Sequence, residues 1–290
     1  MMMLMQGKDV DIAEMIFHHT GDSHEMELPF VTIHLPEWAP VKLGPLTIDF
    51  SPTKYLVFMI LAAVIVVVML KIAANGIERA RKQGQAPGGY AGAMEAFVLF
   101  VRDEIAIENI GQEMGPRYAP LIMSFFFFIL VCDLLGLFPW GGSPTGNLAV
   151  TAALALIAFV AIEVGGMFKL GFKGYMGTIF PHIDGLPPVG ARIMSIALAP
   201  IEIMSKLVKP FALTVRLFGN MTAGHFVILA LFGIVFTFGN LGYFISGGIS
   251  VVTVLVVVGV MGLELLVAVL QAYVFALLSA VFIGLMQHEH

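Results

Sequence analysis

Thiols, charges and nucleotide motifs are scarce in this sequence, and each scarcity removes a class of function. A single cysteine, Cys132, excludes an internal disulfide and a thiolate metal cluster. The absence of a G-x-x-x-x-G-K-[ST] stretch excludes nucleotide binding of the P-loop kind. Charged residues fill only 12% of the 290 positions, about half of what a soluble domain carries. No internal repeat is visible, which disfavours transporters built from inverted repeats. The first 50 residues lack the basic-then-apolar opening of a cleaved signal peptide.

What is present is apolar. Hydrophobic residues make up 59% of the chain, and several runs reach the ~20 residues needed to cross a bilayer. The runs are continuous, whereas a β-barrel would show short alternating segments. The expected fold is an all-α membrane protein with five passes, at about 55–74, 118–138, 147–168, 191–232 and 249–287. Residues 1–54 read as a polar, acidic extramembrane segment holding at most one short helix, and residues 55–290 as the membrane domain. Between the first two spans, Met94, Phe97, Val98, Val101 and Ile105 recur at helical spacing. A helix over 91–112 lying in the interface suits them, with a soluble helix packed on a partner as the alternative. His18, His19 and His24 invite a metal reading, but no complete ligand set is visible and a solvated segment fits better.

Lys and Arg set the orientation. The loop 71–117 holds Lys71, Arg79, Arg81, Lys82, Arg102 and Arg117, and the loop 169–192 holds Lys169, Lys173 and Arg192. Loops 139–147 and 233–248 hold none. The basic loops are expected in the cytoplasm with the C-terminus, and the N-terminal segment outside.

The last two segments are too long. Each stays helix-compatible for about 40 residues, roughly 60 Å of helix, against a hydrocarbon layer ~30 Å thick. Ordinary tilts of ~20° do not absorb a twofold excess, so a long, strongly tilted antiparallel hairpin is expected, with its turn in 239–248. Folding it about residue 244 places Arg216 opposite Gln271 and His225 opposite Glu264, to within about three residues. Glu264 and Gln271 share a face of the last helix, and Arg216 and Asn220 share a face of the preceding one.

A charge at bilayer depth costs ~2.5–3.5 kcal/mol on insertion scales, and Arg does not escape by losing its proton. Either Arg216 pairs statically with Glu264, or, as the register favours, Gln271 orients it without neutralising it and leaves it for a carboxylate of another molecule. His225 and Glu264 form a plausible proton-handling pair. Asp133 either lines the same cavity or caps and snorkels. Glu202 either lines an inner path or pairs with Lys206 at i+4. Glu163 either lines that path or reaches the interface.

These residues resemble a known family. "SKLVKPFALTVRLFGNMTAGH", "DLLGLFPW", "SPTGNLAVTAALAL" and "LELLVAVLQAYVFALL" are similar to the signature segments of subunit a of the F-type rotary ATP synthase, from about residue 90 to the end. The resemblance implies a stator, not catalytic alone, that works without a cofactor and binds no nucleic acid. Its partners would be the c-subunit ring, the peripheral stalk b subunits, the catalytic head indirectly, and the lipid of a bacterial plasma membrane. Arg216 would match the family's essential arginine between two offset aqueous half-channels. Asn220 and Gln271 would be its polar neighbours, Glu264 and His225 the outer pair, and Asp133 and Glu202 further residues of the proton path. Some bacterial members exchange the acid and the imidazole; the order here resembles mitochondrial members. Asp133 stands where many members have Asn. The competing reading is a secondary transporter with a midplane carboxylate site, which predicts helices broken at Gly.

Overall fold

A computed structural model describes residues 21–288, apart from 24, 28–31, 40, 44–45, 50, 139–140, 182–186 and 239–242. His18, His19 and His24 therefore lie outside the described residues, as does the core of the expected 239–248 turn. The N-terminal part holds two antiparallel hairpins that the sequence reading did not anticipate. β1 (Glu25–Glu27) pairs with β2 (Thr32–His34), and β3 (Val41–Leu43) with β4 (Leu46–Ile48). Three-residue strands are too short for alternation to announce them.

Five helices are long and apolar enough to cross a membrane. The first, α1 (Lys54–Lys82), runs well past residue 74. The basic stretch taken for a loop is helical because Arg79, Arg81 and Lys82 sit in the last turn, where cations complement the helix dipole. The amphipathic helix α2 runs over Gly89–Phe100, continues as a π-helical segment, Val101–Ile107, and closes at Glu108–Ile110. In the π segment the exposed Arg102 donates to Asp103 Oδ1 at 2.8 Å, which holds the Asp103 carboxyl below its ordinary range.

The second span is α3 (Gly115–Gly136). A 3₁₀ turn, Pro144–Gly146, leads into α4 (Leu148–Ile179). Gly171 interrupts α4 with φ 69° and ψ 170°, a conformation open almost only to glycine. Helix resumes beyond it, so much of the expected 169–192 loop is helical. The last two helices are α5 (Pro188–Thr237) and α6 (Tyr243–His288), of 50 and 46 residues. The first turn of α6 falls inside the segment expected to form the loop.

The chain forms two compact units. One comprises residues up to Ala62, Val131–Asn147 and Leu217–Leu270. In it, Trp38 N donates to Ser51 Oγ at 2.8 Å and Asn147 Nδ2 to Asp22 Oδ2 at 3.2 Å, which ties the N-terminal segment to the turn before α4. The other comprises Ala63–Leu130, Leu148–Arg216 and Gln271–His290. Its core holds Ile122, Phe126 and Ile129 of α3, with Phe125 edge-on to Phe275 of α6 at 5.3 Å. Ala272, Ala276 and Ala280 recur every fourth residue of α6 and are fully buried. Small residues at that spacing let helices approach closely where lipid supplies no hydrophobic drive.

Candidate functional site

In the first unit, a cavity of about 30 Å³ is lined by Tyr55, Gly142, Ser143, Met221, Thr222 and His225 among others. That is room for a water molecule or two. Thr222 Oγ1, buried nearby, has no hydrogen-bond partner. His225 Nδ1 lies 3.0 Å from the backbone carbonyl of Met221, and an imidazole beside a water-sized cavity is suited to take up and give back a proton.

Behind the cavity stands Asp133, only 1% exposed. Thr145 donates to its Oδ1, and the Thr145 and Ser143 hydroxyls are 2.6 Å apart. Ser143 itself lines the cavity. Asp133 therefore reaches that space through two hydroxyls rather than directly, and its Oδ2 has no partner. The sequence reading missed both hydroxyls. The signal was present in "SPTGN", a turn that places two hydroxyls two residues apart.

Glu264 of α6 is also buried, and neither carboxyl oxygen has a hydrogen-bond partner. It packs against Gly224 of α5, where an added Cβ would overlap Oε1 and lie 2.9 Å from Cδ. The two helices thus meet at Gly224, one residue from the position expected opposite Glu264. No hydrogen bond joins Glu264 to His225, since His225 turns to its own helix and the Glu264 oxygens stay unpartnered. A buried carboxyl without partners marks a site for a proton or a water.

In the second unit, Arg216 is exposed on α5. Among the described residues it makes no ion pair. Gln271 of α6 is 5% exposed. Asn220, one turn after Arg216, is exposed and belongs to the first unit. Glu202 is half-buried. The i+4 pair of Glu202 with Lys206 does not form, because Lys206 turns to another helix. Its Nζ lies 3.1 Å from Glu163 Oε2 and 3.0 Å from Thr178 Oγ1. It also sits 4.4 Å from the centre of the Tyr175 ring, whose hydroxyl donates to Glu163 Oε2. Glu163 accordingly neither reaches the interface alone nor stands free. Lys209 lies over the Phe282 ring of α6 at 4.8 Å.

Among the described residues no group of three or more His, Cys, Asp or Glu is placed to hold a metal. The first unit thus holds two buried acids, an imidazole and hydroxyls, and the second holds Arg216 without an ion pair among the described residues.

Residues 56–284 match the protein family described as ATP synthase A chain. The chain is 44% identical to ATP synthase subunit a of Myxococcus xanthus (strain DK1622) over 246 residues, which covers 84% of this chain and 76% of that protein. It is 40% identical to ATP synthase subunit a of Chloroherpeton thalassium (strain ATCC 35110 / GB-78) over 275 residues, 94% of this chain and 76% of that one. Identity to ATP synthase subunit a of Anaeromyxobacter dehalogenans (strain 2CP-C) is 35% over 289 residues, 96% of this chain and 71% of its counterpart.

Proposed function

The chain belongs to the ATP synthase A chain family, and from that membership we propose that it is the proton-translocating stator of an F-type ATP synthase, with Arg216 as the barrier between two half-channels that serve a ring of c subunits. The observation that carries the reading is Arg216 itself, an exposed cation without an ion-pair partner among the described residues, on a helix otherwise apolar at that level. Such a group is costly in a membrane, and a negative charge brought by another molecule would relieve that cost.

A proton enters from outside at the cavity beside His225 and passes by way of Glu264 to a ring carboxylate. The chain Ser143–Thr145–Asp133 hands protons along by rotating hydroxyls, each able to donate and accept. Once neutral, the ring carboxyl faces lipid at low cost, whereas its ionised form does not. After nearly a full turn it meets the second half-channel, near Glu202, and releases its proton inside. Arg216 favours the ionised ring carboxylate and repels a passing proton, so the two channels stay unconnected. Gln271 orients the guanidinium without cancelling its charge. Each elementary charge moved across 100 mV supplies ~2.3 kcal/mol, and several together drive synthesis in the head. The lengths of α5 and α6, roughly twice the hydrocarbon thickness, support a strongly tilted hairpin along a curved rotor. The basic segments 71–117 and 169–192 face the cytoplasm together with the C-terminus.

α5 and α6 run without a break at Gly, whereas α4 is interrupted at Gly171, so the flux measurement and not helix continuity separates this reading from the transporter alternative. The test is Arg216→Ala in membrane vesicles that carry the assembled complex, with ATP synthesis and proton flux measured together. Coupled synthesis is expected to vanish while the complex still assembles. Synthesis at the normal rate would refute the assignment.

A further inference from the structure

We infer that Lys206, Glu163, Tyr175 and Thr178 form a positioning clasp that fixes the rotation of α5 about its own axis and so aims Arg216. The inference rests on the role proposed for Arg216. It concerns four residues of the second unit, none of which is given a proton-transfer step in that role.

The clasp is a shielded polar knot. The Lys206 and Glu163 side chains are 12% and 14% exposed. All the strong groups are engaged: Glu163 Oε2 accepts from both Lys206 and Tyr175, and Lys206 also donates to Thr178 and lies over the Tyr175 ring. Three stretches of chain converge on it. Glu163 comes from α4 before the Gly171 break. Tyr175 and Thr178 come from the helix after it, three residues apart and so on one face. Lys206 comes from α5.

The helix it holds has little else to orient it. On the stretch of α5 up to Arg216, only Ala191, Ala199, Leu213 and Thr214 are buried among the described residues. Apolar contact is non-directional, so a bare helix with few such contacts turns easily, while hydrogen bonds and an ion pair specify an angle. Lys206 lies on the buried stripe of α5 with Ala199 and Leu213. Arg216 is ten residues further along, about 80° round the axis and roughly 15 Å up the helix. Pro210 lies between them and has no N–H for the Lys206 carbonyl. The clasp grips the helix at the residue where its own ladder is interrupted.

The test uses vesicles with the assembled synthase and reads three quantities: assembled complex, synthesis per complex, and passive proton leak per complex. Lys206→Met and Glu163→Gln are each expected to lower synthesis per complex on the order of 10- to 100-fold, the usual cost of a misplaced charge, and to raise the leak. A merely structural role would lower the amount of complex and leave the leak per complex unchanged. Exchanging the two residues (Glu163→Lys with Lys206→Glu) is expected to restore most of the rate. Normal synthesis and leak in assembled Lys206→Met, or an assembled exchange that stays uncoupled, would overturn the clasp. Should none of these assemble, Tyr175→Phe, which removes a single hydroxyl, decides by the same leak criterion. Arg216→Ala run in parallel separates the two ideas: if it leaves synthesis intact, the barrier role fails first.

Discussion

Gly224→Ala is a small change with a large expected consequence. The added Cβ would overlap Glu264 Oε1 and lie 2.9 Å from Cδ and 3.3 Å from Cγ. Carbon atoms in contact normally sit about 3.5–4.0 Å apart. The carboxyl must therefore move by about 1 Å, and it is free to do so, because no hydrogen bond holds either oxygen. The substitution should leave the fold almost untouched, since the group that yields is the end of a flexible side chain. Its cost falls on proton transfer, where a displacement of that size lowers the rate on the order of 100-fold, or about 2.7 kcal/mol of barrier. The assay is ATP-driven proton pumping in vesicles, normalised to assembled complex. Glu264→Asp added to Gly224→Ala draws the carboxyl back by one methylene and should recover part of the loss. Unchanged pumping by the single variant, with normal assembly, would show that the position of the Glu264 carboxyl does not matter and would refute the reasoning.

Other perturbations separate packing from transport. Gly284→Ala would drive a Cβ into the backbone carbonyl of Asn109 in α2; backbone does not yield, so a loss of about 1–3 kcal/mol is expected, seen as less assembled chain and faster proteolysis. Gly171→Ala places a side chain at φ 69° and should cost a similar ~1–3 kcal/mol in the helix that carries Tyr175 and Thr178, read by the same proteolysis assay. Thr145→Val removes the hydroxyl that Asp133 accepts from and should slow pumping with no loss of complex; equal rates would remove the hydroxyl chain from the path. The Asp103 carboxyl, depressed by Arg102, contributes stability in full above the ordinary Asp pKa and loses it as pH falls through its lowered value. Both side chains are exposed to solvent, which screens the pair, so Asp103→Asn should leave the amount of assembled complex near neutral pH unchanged.

The spans and the buried polar positions were legible because a bilayer tolerates so few charges that each one stands out. Arg216, Glu264, Gln271 and His225 announced themselves against apolar neighbours, and even the pairing of α5 with α6 came within one residue at Gly224. The connections were less legible. Apolar runs stop where lipid stops, but helices do not, so α1 and α4 run on through stretches that composition reads as loops. The π-helical turn in α2 adds a residue that hydrophobic spacing absorbs without trace. The knot around Lys206 was hidden for a different reason. Its members lie 12, 15 and 43 residues from Glu163, and only the turn at Gly171 makes them neighbours, so the one partner for Lys206 that the sequence offered was Glu202 at i+4, as one of two alternatives.

The bareness of α5 reaches beyond the resting protein. A chain whose longest helix has so little of its own material against it is unfinished when it leaves the insertion machinery. On the stator reading proposed above, the Arg216 guanidinium would face hydrocarbon until a rotor arrives, at a penalty of ~2.5–3.5 kcal/mol on insertion scales. The chain's steady level in a cell should follow the supply of its neighbours more closely than the expression of its own gene.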